Sequence, residues 1–115
     1  MSEDDDINSE EIITEEMLWE RIPEVDGLDR ANTYYELSAR IYARGQYDEA
    51  LALAETARDI YSELGSAAPS EGLAQAYSAI GYNLNQLKRM NEAATAMSKA
   101  AVSYTHLTLP TNREV

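Results

Sequence analysis

Few side chains in this sequence could do covalent or metal chemistry, and their spacing decides against it. The single histidine, His106, sits in the segment VSYTHLTLPT, and the chain has no cysteine. Thiolate catalysis, disulfides and cysteine-based zinc sites are thereby excluded, and a lone imidazole has no partner for a metal site or a catalytic dyad. Carboxylates are plentiful, with Asp4-Asp5-Asp6 and Glu10-Glu11 side by side. Adjacent acids that lack the fixed ligand spacing and turn glycine of a calcium loop form a solvated charge run. Gly27, Gly45, Gly65, Gly72 and Gly81 are isolated from one another and build no phosphate cradle. Eight tyrosines could suggest a stacking platform, but Tyr34, Tyr47 and Tyr77 fall at helical spacing and are expected to fill a core. The residues thus point to a protein without catalytic, metal or cofactor sites, whose chemistry is surface recognition.

The elements that present such a surface are legible from periodicity. Tyr34 to Ala57, YYELSARIYARGQYDEALALAETA, reads as two amphipathic helices joined by a tight turn at Gly45-Gln46-Tyr47. Ser38, Ala50, Ala54 and Ala57 are small where two helix axes must approach, while Tyr34, Leu37, Ile41, Tyr47 and Leu51 fill the seam. The pattern then recurs: Tyr77, Ile80, Gly81, Leu84, Ala93, Met97 and Ala100 repeat the mutual spacings of Tyr34, Leu37, Ser38, Ile41, Ala50, Ala54 and Ala57, 43 positions on.

This duplicated pattern resembles the tetratricopeptide repeat, whose helical hairpin asks for an aromatic, a Leu and a small residue, a large residue, and small or apolar positions after the turn. The 43-residue period exceeds the family's usual spacing of about 34. The extra residues fall between Ala57 and Pro69, as added turns on a second helix spanning Asp48 to Leu64, which is the form of longer-helix variants. The resemblance implies an all-α, TPR-like helical-hairpin solenoid fragment with an extra N-terminal helix. It also implies a concave groove, lined by the first helix of each hairpin, that takes an extended peptide or a partner's helix. The matching positions here are Asn32, Tyr35, Glu36, Ala39 and Tyr42, then Gln75, Ser78, Tyr82, Asn85 and Gln86. Chaperone-binding members clamp a terminal carboxylate with groove Lys, Asn and Arg; that basic set is missing, which argues against a cochaperone.

Four segments are expected in order. Residues 1–8 form an acidic leader with nothing to bury, expected to be disordered. Residues 9–22 form an N-terminal helix, capped by Asn8 or Ser9 and stopped by Pro23, which lids the first hairpin by burying Trp19. Two hairpins follow, 26–65 and 69–101. Asp26 or Asp29 caps the first, Gly45 and Gly65 end its helices, and a helix from Glu71 to Leu87 with another from near Asn91 makes the second.

Residues 102–115 are expected to be foreign. The alternation in VSYTHLTLPT would ordinarily suggest a strand, which has no partner in a helical chain. Ten consecutive codons from Val102 to Thr111 can be written so as to match the end sequence of a transposon-based sequencing adapter. A reading frame truncated there would have lost further repeats, in keeping with the three or so that a solenoid needs.

With nine basic and twenty-one acidic residues the net charge is −12, which disfavours a phosphate backbone as partner and favours a basic or neutral protein. No secretory signal or membrane-length apolar run is present, so a cytoplasmic location and no membrane association are expected. The expected function is a non-enzymatic protein–protein interaction module. Two alternatives stand beside it: the regulatory or docking end of a larger enzyme or signalling protein, and a structural helical module that self-associates through the open face of its last hairpin.

Overall fold

The structure is a computed structural model that describes residues 13–113. Five helices follow one another, with no strand among the described residues: α1 Glu15–Arg21, α2 Gly27–Ala43, α3 Tyr47–Leu64, α4 Ser70–Gln86 and α5 Met90–Arg113. Short 3₁₀ turns, Ile22–Glu24 and Gly65–Ala67, extend α1 and α3. Each helix packs chiefly on its sequence neighbours, so α2 with α3 and α4 with α5 form two hairpins joined through α3 and α4, and α2 also touches α4.

The two hairpin turns are the same backbone device built twice. In the first, Gly45 N–H donates to Tyr42 O (2.9 Å) and Gln46 N–H to Ile41 O (3.3 Å); in the second, Lys88 N–H donates to Asn85 O (3.0 Å) and Arg89 N–H to Leu84 O (2.9 Å). This crossed pair satisfies the last carbonyls of a helix and requires a left-handed residue between them. Gly45 takes that conformation with φ +85°, and Lys88 takes it with φ +67° although it carries a side chain. The offset between the turns is the 43 residues of the sequence repeat, so the repeat is structural as well as compositional.

Three linked clusters make the core. Leu37, Ile41, Ala50 and Leu53 close the first hairpin, while Leu51, Ala54, Ile80, Leu84, Ala93 and Ala96 join the first hairpin to the second. Ala31, Ala57, Tyr61 and Ala76 occupy the far end of α2, α3 and α4. Alanine recurs because it lets helix axes approach, and Ala31, Ala50, Ala54, Ala57, Ala74 and Ala76 are wholly buried. Tyr34 and Tyr77 are half-buried against these clusters, as periodicity predicts for core fillers. Gly72 supplies another close approach: a Cβ there would stand 2.6 Å from the Tyr61 ring.

The N-terminal helix differs from expectation at both its start and its buried face. The expected leader 1–8 and the expected caps Asn8 and Ser9 lie outside the described residues, but Ile13 and Thr14 are non-helical and Thr14 is the cap, its hydroxyl accepting from Met17 N–H at 3.1 Å. Trp19 is not the buried lid; it is 42% exposed, and Leu18, 3% exposed, is the residue that docks on Leu37, Ile41, Ala50 and Leu53. Helix α1 has only 7 residues. A helix that short presents one narrow face, and Leu18 with the half-buried Ile22 four positions on fills it. Two polar contacts fix its angle: Arg44 pairs with Glu15 at 3.0 Å, and Arg30 donates to Ile22 O at 3.2 and 3.3 Å.

The segment with strand-like alternation has a helical backbone, continuing α5 to Arg113. Helix α5 starts at Met90, where Arg89 Nε donates to Glu92 at 2.6 Å and holds that carboxyl below the ordinary carboxylate range.

Candidate functional site

Helices α2 and α4 are the first helices of the two hairpins, and they face one another across a cleft of about 120 Å³. Residues at i, i+3/4 and i+7 share one face of a helix. On α2 those are Tyr35, Ser38, Ala39 and Tyr42, and on α4 they are Gln75, Ser78, Ala79, Tyr82 and Asn83. Six of the ten residues expected to line a groove therefore converge: Tyr35, Ala39, Tyr42, Gln75, Ser78 and Tyr82.

The other four go elsewhere, each for a local reason. Asn32 accepts a hydrogen bond from the Tyr61 hydroxyl and, with Glu36, lines a separate recess against Leu18 and Arg21 of α1. Glu36 also pairs with Arg40 at 3.6 Å, one helical turn on. Asn85 lines a second recess with Met90 and Met97, which borders the cleft at Tyr82. Gln86 is the exposed last residue of α4.

The tyrosines differ in what holds them. Tyr82 is 52% exposed and forms a free-standing wall of the cleft. Tyr42 is half-buried, its ring 5.3 Å from that of Tyr47 at a tilt of 60°. Tyr35 is half-buried against the Ala31, Ala57, Tyr61 and Ala76 cluster, so it belongs to the core as well as to the cleft. Burial, and then the neighbouring Tyr35, push the Tyr61 phenol above its ordinary value, which keeps it neutral as a donor to Asn32.

Asn83 was not among the expected groove residues, and it is the most unusual group in the cleft. It is 1% exposed; its Nδ2 donates to Ala79 O at 2.8 Å, while its Oδ1 is buried and accepts no hydrogen bond among the described residues. A buried acceptor left unpaired costs about 1–3 kcal/mol. A signal was present in the sequence: Asn83 follows Ile80 by three and Ala76 by seven, so it is a lone polar residue on an otherwise apolar stripe. Ser38, also missed, is satisfied within its own helix by donating to Tyr35 O at 2.7 Å.

Among the described residues no group of three His, Cys, Asp or Glu side chains could hold a metal ion, and no helix is long and apolar enough to cross a membrane. The side chains lining the cleft are all uncharged, in a chain of which 26% is charged. What they can do is pack against apolar groups and hydrogen-bond to neutral ones. No protein-family model, curated protein or solved structure matches the chain.

Proposed function

We propose that this chain is a protein–protein interaction module of the TPR-like kind, which binds an extended peptide segment of a partner protein in the cleft between α2 and α4. The observation that carries the reading is the convergence of Tyr35, Tyr42 and Tyr82 from two hairpins on one uncharged cleft, with Tyr82 more than half exposed. Exposed aromatic side chains are costly to hydrate and rigid enough to anchor a ligand at small entropic cost. The turn duplicated at Gly45 and Lys88 supports the repeat reading, because the same pair of backbone hydrogen bonds closes both hairpins 43 residues apart. The acidic surface then speeds the approach of a basic partner without entering the cleft.

The test uses Tyr82, because its truncation removes little from the core. Peptides from a random display library are selected on the whole chain and measured by fluorescence anisotropy against the parent and Tyr82→Ala. The reading expects unchanged helical content and melting, and at least about a tenfold loss of affinity, as for an aromatic anchor worth more than ~1 kcal/mol. Selected peptides that bind Tyr82→Ala as tightly as the parent would reject the cleft as the site. Tyr35→Ala is the weaker probe, since its ring also packs against the Tyr61 cluster.

A further inference from the structure

We propose that this chain associates with a second copy of itself head to tail: helix α1 of one copy, carrying Met17 and Trp19, docks in the recess between α4 and α5 of the next. Among the described residues, the large apolar side chains left more than a third exposed are Ile13, Met17 and Trp19 at one end and Tyr82, Met90, Met97 and Val102 at the other. Helices α2 and α3 carry none. Helix α1 packs chiefly on α2 and α5 chiefly on α4, so the two patches lie at opposite ends of the stack and do not cover one another within one chain. A patch that fits a recess elsewhere on the molecule makes a heterologous contact, which adds copies in a row. Charge selects the same pairing: residues 1–69 hold eighteen acids and five bases, residues 70–115 three acids and four bases. Within residues 1–25 the acids number ten against the single base Arg21, while the exposed Lys88 and Arg89 stand in the turn just before Met90. An acidic end thus meets a basic rim, and two acidic ends repel.

The internal repeat identifies the recess as a seat for a helix. Its lining includes Gly81, Tyr82, Asn85, Met90, Ala94 and Met97; 43 positions earlier stand Ser38, Ala39, Tyr42, Tyr47, Leu51 and Ala54. On the first hairpin α4 covers that surface, since Leu51 and Ala54 are buried in one cluster with Ile80 and Leu84, and Ser38, Ala39 and Tyr42 face α4 across the cleft. On the second hairpin Ala94 and Met97 stay exposed. Helix α1 is the matching half: Leu18 meets Leu37, Ile41, Ala50 and Leu53, whose repeat counterparts Ile80, Leu84, Ala93 and Ala96 meet Leu51 and Ala54 of α3. It therefore stands where the second helix of a preceding repeat would, with Leu18 as its buried residue and Met17 and Trp19 left outside. The recess, about 320 Å³, is roughly twice the ~150 Å³ that accommodates a benzene molecule, and so admits the Trp19 indole. The net charge of −12 on each copy opposes close approach, which makes the contact weak and dependent on concentration.

The experiment is sedimentation equilibrium of the whole chain and of two variants at exposed side chains. Trp19→Ala blocks the head, and Met90→Glu blocks the tail while placing an acid at a helix N-terminus, where it is tolerated. Circular dichroism first checks that each keeps the helical content of the parent, and Met17→Glu is a second head block read in the same way. The average mass of the parent is expected to rise above the 12.8 kDa of one chain by about 1 mM, and each variant alone is expected to associate at least about tenfold more weakly. An equimolar mixture of Trp19→Ala and Met90→Glu is expected to regain association but to stop at a dimer, because each supplies the end that the other lacks. A parent that stays monomeric at about 1 mM overturns the proposal. So does a head-blocked variant that associates as strongly as the parent, or a mixture no more associated than its components. Neither Trp19 nor Met90 lines the cleft between α2 and α4, so each of these results leaves the peptide-binding reading to its own test.

Discussion

Two residues show how much one position settles. Tyr61 is buried under Gly72 and donates its hydroxyl across the α2–α3 seam to Asn32. Its phenol lies above the ordinary value of 10.0, first because burial disfavours the phenolate and second because Tyr35 is close. The folded state therefore holds that proton more tightly than the unfolded chain does. Its contribution is complete below about pH 10 and is lost as the pH rises through the folded value. Tyr61→Phe should cost about 0.5–1.5 kcal/mol at neutral pH through the lost hydrogen bond, and should lose less stability than the parent between about pH 9 and about pH 11. Chemical denaturation at the two pH values measures both effects; an equal alkaline loss in both proteins would place the sensitivity elsewhere. Lys88 makes the second case. It holds φ +67° where the matching position of the first turn is Gly45. A left-handed conformation costs a non-glycine residue roughly 1–2 kcal/mol, so Lys88→Gly should raise stability by about 1 kcal/mol. No gain would mean that the Lys88 side chain compensates the strain.

At the scale of elements, the hairpins were legible because their signals agree: seam spacing, small residues at crossings, and turn residues all repeat at the same offset. The helix expected from Asp48 to Leu64 runs from Tyr47 to Leu64, and the one expected from Glu71 to Leu87 runs from Ser70 to Gln86. Helix α1 was less legible because its apolar residues form no single stripe, leaving several faces equally plausible from sequence. Trp19 drew the expectation by its size, whereas docking is decided by which residue faces Leu37 and Ile41, and that residue is Leu18. Leu18→Ala should destabilise the chain by roughly 2–4 kcal/mol, while Trp19→Ala should cost less than about 1 kcal/mol. Thermal melts of the two variants compare them directly, and the reverse order would show that α1 is rotated on α2. In the cleft, the α2 and α4 faces were expected through the repeat resemblance, and six of its ten positions line the cleft. Asn83 was not, because a polar residue on a buried stripe is read as a satisfied core amide until its partners can be counted.

Across the whole molecule, charge and cleft are separated. The chain is strongly acidic, yet the surface that gathers Tyr35, Tyr42, Tyr82 and Asn83 carries no charge of its own. On the proposed reading, long-range attraction and short-range contact would fall on different parts of the surface, so capture of a basic partner should be sensitive to salt and the bound lifetime insensitive to it. A sequential stack of hairpins suits this division, since it aligns the first helices of both repeats along one side while leaving their polar faces in water. The most direct measurement of the central claim is a titration of the isotope-labelled chain, followed through its backbone amide resonances, with the tightest apolar-centred peptide selected on it. The account predicts that the perturbed amides concentrate in residues 35–42 of α2 and 75–83 of α4. Perturbations centred instead on α1, or on the outer face of α5 around Met90 and Met97, would contradict it.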